Sequence, residues 1–313
     1  MAMDISYSIP LSKGWNRMKK ALFQPFDLNK WMRVGFTAFL AGLTDFNGGG
    51  NGNSTGNRNV NWNEFFNFPQ TAWDWLNSHP VWFTMIVLGV ICIFLFVVFL
   101  TWLSSRGKFM FLSNVVNNTD GISKPWNEYR KEGNTLFVWR FFYGLIAFFI
   151  FAGLLVMCFT RGMELYTGDV AGIVIFWNVF LMVLVFLGLL VVFGYVSLFL
   201  NDFVVPVMYK ERIGPVSAWF RFLKLFGKYP VTFLIYGLFI AVLFIAAVLG
   251  ILFFGVFTCC IGFILLIIPY IGSVVLLPVS YTFRALSLEF LSQFGDEYNL
   301  LLKPEESVEI IQV

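Results

Sequence analysis

A single histidine, His79, occurs in 313 residues. That scarcity excludes bis-histidine haem ligation and the zinc helix HExxH, each of which needs two imidazoles. Walker A and dinucleotide-binding glycine loops are missing as well, and the serines and carboxylates form no recognisable triad or acid pair. No catalytic residue, metal ligand or cofactor site can be nominated, so the expectation is a protein that is not an enzyme and needs no cofactor. His79, just ahead of Pro80 at a membrane boundary, reads as a hydrogen-bonded interface residue.

Charge is scarce too. Charged residues make up 12% of the chain and hydrophobic ones 58%, whereas a soluble domain carries roughly 25% charged residues. Such a composition cannot cover a water-facing surface. A net charge of +3 says less than where the charges sit, and no nucleic-acid partner is expected. Four cysteines, Cys92, Cys158, Cys259 and Cys260, lie in or beside apolar stretches without metal-ligand spacing and read as small core residues. A link from Cys158 to the Cys259/Cys260 pair stays open. Residues 1–28 are mixed and polar, without the apolar core of a cleavable signal, so the chain is expected to keep its own start.

What is abundant is the uncharged apolar run. Several reach 20 or more residues, long enough to cross about 30 Å of hydrocarbon as helices, and they are continuous where a β-barrel would alternate. Val81 to Leu103 is one span; the stretch between Arg140 and Arg161 is the next; a further one lies within Val170 to Asn201. No charged residue occurs from Tyr229 to Phe283, too long for one helix. A reversal near Thr258 to Gly262 gives spans of about 231–256 and 263–284, the last kinked or broken by Pro269 and Pro278 unless its first turn begins at Pro269. Residues 28–46 form the weakest span, since only 11 uncharged residues separate Arg33 from Asp45.

Repetition supports that first span. At a fixed offset of 93, Ser104, Gly121, Trp126, Lys131, Val138 and Tyr143-Gly144-Leu145 match Ser197, Gly214, Trp219, Lys224, Val231 and Tyr236-Gly237-Leu238. SKGWNRMKK, from Ser12, resembles SKPWNEYRK, from Ser123. The expected fold is therefore all-α and integral to the membrane: six transmembrane helices as three repeats, about 10–105, 120–200 and 213–290, each an amphipathic interfacial helix plus two spans. Together they form one polytopic domain over 1–299, followed by an acidic cytoplasmic tail at 300–313. Trp15, Trp126 and Trp219 are the expected membrane-interface anchors. Leu11, Trp15, Met18 and Leu22 share one face of the first amphipathic helix, and Val216, Trp219, Phe220 and Leu223 one face of the third; such helices either lie in the headgroup plane or pack on the spans as elbows.

This topology puts 19 of the 21 Lys and Arg residues on one side, leaving only Arg58 and Arg161 on the other. The asymmetry makes the basic side, with both termini, cytoplasmic. It also makes anionic headgroups at the inner face the expected lipid partners. On the outer side, residues 47–61 are almost wholly Gly and Asn, a flexible loop, with a glycosylation pattern at Asn53-Ser54-Thr55. Behind it Trp62, Phe65, Phe66, Phe68, Trp73 and Trp75 suit an outer aromatic belt or a partner surface.

Polar residues crowd the inner span ends. Arg106, Asn201, Asp202, Arg284 and Glu289 form a candidate inner-leaflet cluster in which Asp202 approaches Arg106 or Arg284, either as a structural salt bridge or as a site for a substrate or partner.

Two stretches, NDFVVPVMYKERIGPVSAWFRFLKLFGKYPVTFLIYGLF (201–239) and IIPYIGSVVLLPVSYTFRALSLEFLSQFGDEY (267–298), resemble a group of uncharacterised bacterial membrane proteins similar to the membrane domain attached to some glycerophosphoryl diester phosphodiesterases. The resemblance implies a polytopic helical domain in the cytoplasmic membrane and brings no catalytic residues. The functional expectation is a scaffold or accessory subunit organising lipids or partner membrane proteins; a transporter, channel or lipid-handling protein is the alternative.

Overall fold

The computed structural model describes residues 5–45, 62–168, 171–258 and 261–301. Four expectations fall outside them: the loop at 47–61 with its Asn53 pattern, a bond to Cys259 or Cys260, the reversal at 259–260, and the acidic tail from 302. Among the described residues the chain is helical, without strands.

Chain order runs α1 (Ser8–Leu22), α2 (Leu28–Gly42), α3 (Trp62–Ser78), α4 (Pro80–Asn117), α5 (Ser123–Glu128), α6 (Arg130–Thr167) and α7 (Gly172–Phe199). A π turn, Leu200–Val204, joins α7 to α8 (Val205–Glu211). Then follow α9 (Pro215–Lys228), α10 (Pro230–Phe257), α11 (Ile261–Ile267), α12 (Pro269–Val275), α13 (Leu277–Ser292) and a 3₁₀ turn, Asp296–Tyr298. Proline opens α4, α9, α10 and α12 and stands second in α13, positions where its missing N–H costs nothing.

Four helices are long and apolar enough to cross a bilayer: Pro80–Asn117, Arg130–Thr167, Gly172–Glu211 and Pro230–Phe257. This is a membrane protein by that measure. The other two expected spans are not continuous helices of that length. At 15 residues, α2 measures about 22 Å, short of the roughly 30 Å of hydrocarbon. The segment from Ile261 to Ser292 is cut into α11, α12 and α13 at Ile268 and Leu276, one residue ahead of Pro269 and two ahead of Pro278.

Two compact units account for the described residues. One comprises α3, α4 up to residue 100, and 140–194. Here Phe66 packs on Phe159 and Tyr166 at 5.5 and 5.3 Å between ring centroids, and the Tyr143 hydroxyl donates to the Phe193 carbonyl at 2.8 Å. His79 stacks on Trp75 at 4.7 Å, and its Nδ1 lies 2.9 Å from the Trp75 carbonyl and 3.0 Å from Ser78 Oγ. It is a hydrogen-bonded residue, as expected. The apolar side chains from Val81 to Phe99 are largely exposed, which is stable only where lipid replaces water.

The other unit holds residues up to 45, 101–139 and 195 onward. Its core is aromatic: Phe203 stacks on Phe222 at 5.3 Å and Tyr236 meets Phe290 at 4.4 Å. Ser104 to Val116 of α4 are all buried. Lying along α13, α1 has Gly14 at the crossing; a Cβ there would sit 3.0 Å from Leu286 N. Arg17 reaches from α1 to the last turn of α4, donating to the carbonyls of Val115 and Val116 that a helix end leaves without partners. Further along, α2 packs on α12, where Trp31 Nε1 donates to the Val274 carbonyl at 2.9 Å. It also lies beside α4 from Lys30, bound to Asn118, to Ala41, whose carbonyl accepts from Ser104 Oγ at 2.9 Å.

The first and third amphipathic helices do pack as elbows, α1 on a face that keeps Met18 and Leu22 of the one read from hydropathy and α9 on a different one. In α1 the buried residues are Pro10, Gly14, Met18, Ala21 and Leu22, while Trp15 is exposed. In α9 they are Pro215, Ala218, Phe222 and Leu225, while Val216, Phe220 and Leu223 are exposed. Close helix crossing selects Gly14, where Leu286 leaves no room for a larger side chain, and Ala218 is wholly buried.

A buried ion cluster as candidate functional site

Proline 206 prepares the site. In the π turn the Val205 N–H bonds back to the Leu200 carbonyl, five residues earlier. The next bond in that register would run from residue 206 to Asn201, but proline has no N–H to give. Arg284 of α13 supplies the missing donor, its Nη1 lying 2.6 Å from the Asn201 carbonyl. Such single π turns often mark functional positions.

Around this point the unit gathers two carboxylates, two cations and a phenol. The Tyr236 hydroxyl donates to Asp202 Oδ2 at 2.9 Å. Lys108, fully buried on α4, places its Nζ 2.6 Å from Asp45 Oδ2 just beyond α2. Arg284, Lys108 and Asp45 all act electrostatically on Asp202. Two positive and two negative groups thus lie together, with Lys108 wholly buried and the other three partly so, and the buried ammonium needs its counter-charge. Among the described residues, the buried Asn201 Oδ1 has no hydrogen-bond partner.

Asn201, Asp202 and Arg284 therefore come together, as the sequence suggests. Arg106 goes elsewhere. Its guanidinium lies 4.7 Å from both the Trp102 and Trp126 rings, and its Nε and Nη2 both donate to Asn134 Oδ1, at 3.1 and 3.0 Å. Glu289 is also separate, with Lys13 Nζ 3.8 Å away; burial pushes its carboxyl above the usual range, opposed by Lys13 and Arg17. Of the three tryptophans, Trp15 is exposed with Lys19 over its ring, Trp126 covers Arg106, and Trp219 stacks on Trp139 at 5.7 Å.

Lys108, Asp45 and Tyr236 are the members that sequence reasoning missed. A signal for Lys108 existed: the offset of 93 that aligns the repeats sets residue 108 against Asn201. Among the described residues no group of three or more His, Cys, Asp or Glu is disposed to hold a metal ion. What the arrangement can do is hold balanced charge where several helices meet.

Over residues 10–301 the chain matches a family of unknown function (DUF7544), and it belongs to that family. No curated protein matches it, and no solved structure does.

Proposed function

We propose that this member of a family of unknown function is a non-enzymatic scaffold or accessory subunit of the cytoplasmic membrane, organising lipids and partner membrane proteins at the inner face. The carrying observation is the double-sided character of α9. One face, Ala218, Phe222 and Leu225, is spent on the core, yet Val216, Phe220 and Leu223 remain exposed beside Arg221, Lys224 and Lys228. An apolar strip flanked by cations fits the headgroup layer of an anionic leaflet. The resemblance to phosphodiesterase membrane domains is compatible with an accessory part.

The topology in this reading has six crossings with both termini cytoplasmic. Two contacts support it. Ser6 and Gln293 are hydrogen-bonded neighbours, which favours both chain ends leaving the bilayer on one face. Arg17 binds the C-terminal end of α4, whereas the chain enters α4 at Pro80. In this reading the stretch between α1 and α4 traverses, and so does the stretch from α10 to α13.

A transporter is the second reading, favoured only by the charged cluster at Asp202. Purification of the full chain in mild detergent tests the choice. A scaffold brings stoichiometric partner proteins with it, and Asp202→Asn leaves their recovery intact in a folded variant; a solitary chain whose Asp202→Asn variant folds but loses function contradicts it.

A further inference from the structure

We infer that the chain binds one anionic phospholipid at the junction of α2, α4 and α5, with an acyl chain in the groove that Trp126 lines and the phosphate against Arg106 and Arg130. The groove has a volume of about 380 Å³ and is bounded by Phe36 and Leu40 of α2, Leu103 and Met110 of α4, and Ile122 and Trp126. Ser123 and Asn127 supply polar groups at its edge. That size falls within the usual range for ligand clefts, and the lining is apolar with few polar groups, as a hydrocarbon chain requires.

Charge identifies the other end of the ligand. Arg106 is only 7% exposed, yet its hydrogen bonds go to a neutral amide, and the charged neighbour that acts on it is a second cation, Arg130. Of the acids on the neighbouring segments, Asp120 pairs with Arg33 at 3.1 Å and Glu128 with Arg212; Glu132 lies 3.8 Å from Arg212 and, among the described residues, keeps a buried Oε2 without a partner, and no acid acts on Arg106 as Arg130 does. A buried guanidinium beside a like charge is unfavourable without an anion to compensate it. Trp126 joins the two halves, since its ring both covers the Arg106 guanidinium and lines the groove. An anionic lipid satisfies both at once; a zwitterionic lipid fills the groove but brings its own ammonium beside the phosphate, so it adds no net negative charge to offset the two arginines.

The inference rests on the membrane assignment and on lipids meeting this face, but not on a scaffold role. Its test uses the isolated full chain, so a missing protein partner and a missing lipid are read separately. Native mass spectrometry would follow lipid retained from nanodiscs of mixed phosphatidylglycerol and phosphatidylcholine. We expect one phosphatidylglycerol per chain, retained in preference. Arg130→Gln should cut that preference about fivefold, the worth of one cation near an anionic headgroup, and the Arg106→Gln/Arg130→Gln pair should abolish it. Leu103→Trp, which fills the groove and spares both arginines, should lower retention while the chain stays monodisperse. Equal retention of the two lipids overturns the inference, as does unchanged preference in the double variant. Full displacement by inorganic phosphate, with Leu103→Trp silent, would overturn it in favour of a free-anion site.

Discussion

Ser6 and Gln293 exchange two hydrogen bonds: the Ser6 N–H donates to Gln293 Oε1 and Gln293 Nε2 donates to the Ser6 carbonyl, each at 3.0 Å. A side-chain amide thus pairs with the backbone 287 positions earlier, locking the entry to α1 onto the end of α13. Gln293→Ala removes both bonds, at a cost of about 1–3 kcal/mol for two partly buried pairs. Faster hydrogen exchange at the start of α1, with α10 unchanged, is the expected readout.

The Lys108–Asp45 pair should respond asymmetrically to neutralisation. Lys108 is wholly buried while the Asp45 side chain is about one-third exposed. Asp45→Asn leaves the buried ammonium without its nearest carboxylate, a loss on the order of 3–5 kcal/mol. Lys108→Met leaves behind a carboxylate that water can reach, and should cost less. Thermal unfolding of the two variants in one detergent checks the order.

Gly107 and Gly89 lie on the same helix and should behave oppositely. A Cβ at Gly107 would stand 2.6 Å from the backbone of Ala41 and Leu40, whereas one at Gly89 meets nothing within 4 Å. Gly107→Ala should push α2 off α4 and cost about 1–3 kcal/mol or more. Gly89→Ala should be neutral or stabilising by up to about 1 kcal/mol. Melting temperatures of the two single variants decide this.

Glu289 gives a pH dependence with a definite sign. Burial raises its folded-state carboxyl above the ordinary glutamate value, against the pull of Lys13 and Arg17. A group raised on folding contributes stability at pH below its unfolded value and loses it as pH rises through the folded one. Glu289→Gln should therefore melt higher than the parent at neutral pH, and the gap should close as pH falls from the raised folded value to the ordinary glutamate one. Parallel melting curves at every pH would contradict the assignment.

How much of this was legible in the sequence depended on the kind of force involved. The four long helices follow from uncharged runs, and the breaks ahead of Pro269 and Pro278 follow from a missing N–H. The packing faces of α1 and α9 were not fully legible, because Gly14 is chosen by the closeness of the Leu286 backbone and not by its hydropathy. The partial burial of Asp202 beside Arg284 could be read from clustered polar span ends. The repeat offset sets Lys108 against Asn201, but its burial was not legible, since that depends on Asp45, 63 residues away, and the π turn needs Pro206 and Arg284 together. The shortness of α2 was hinted at by the charges at Arg33 and Asp45.

The account depends most on both chain ends facing the cytoplasm. With the native cysteines replaced, single cysteines at Ser8, Asp296 and Glu164, all exposed, can be probed with a membrane-impermeant maleimide in sealed vesicles of known orientation. The account predicts that Ser8→Cys and Asp296→Cys react only from the cytoplasmic face and Glu164→Cys only from the opposite one. Labelling of the first two from opposite faces would contradict it.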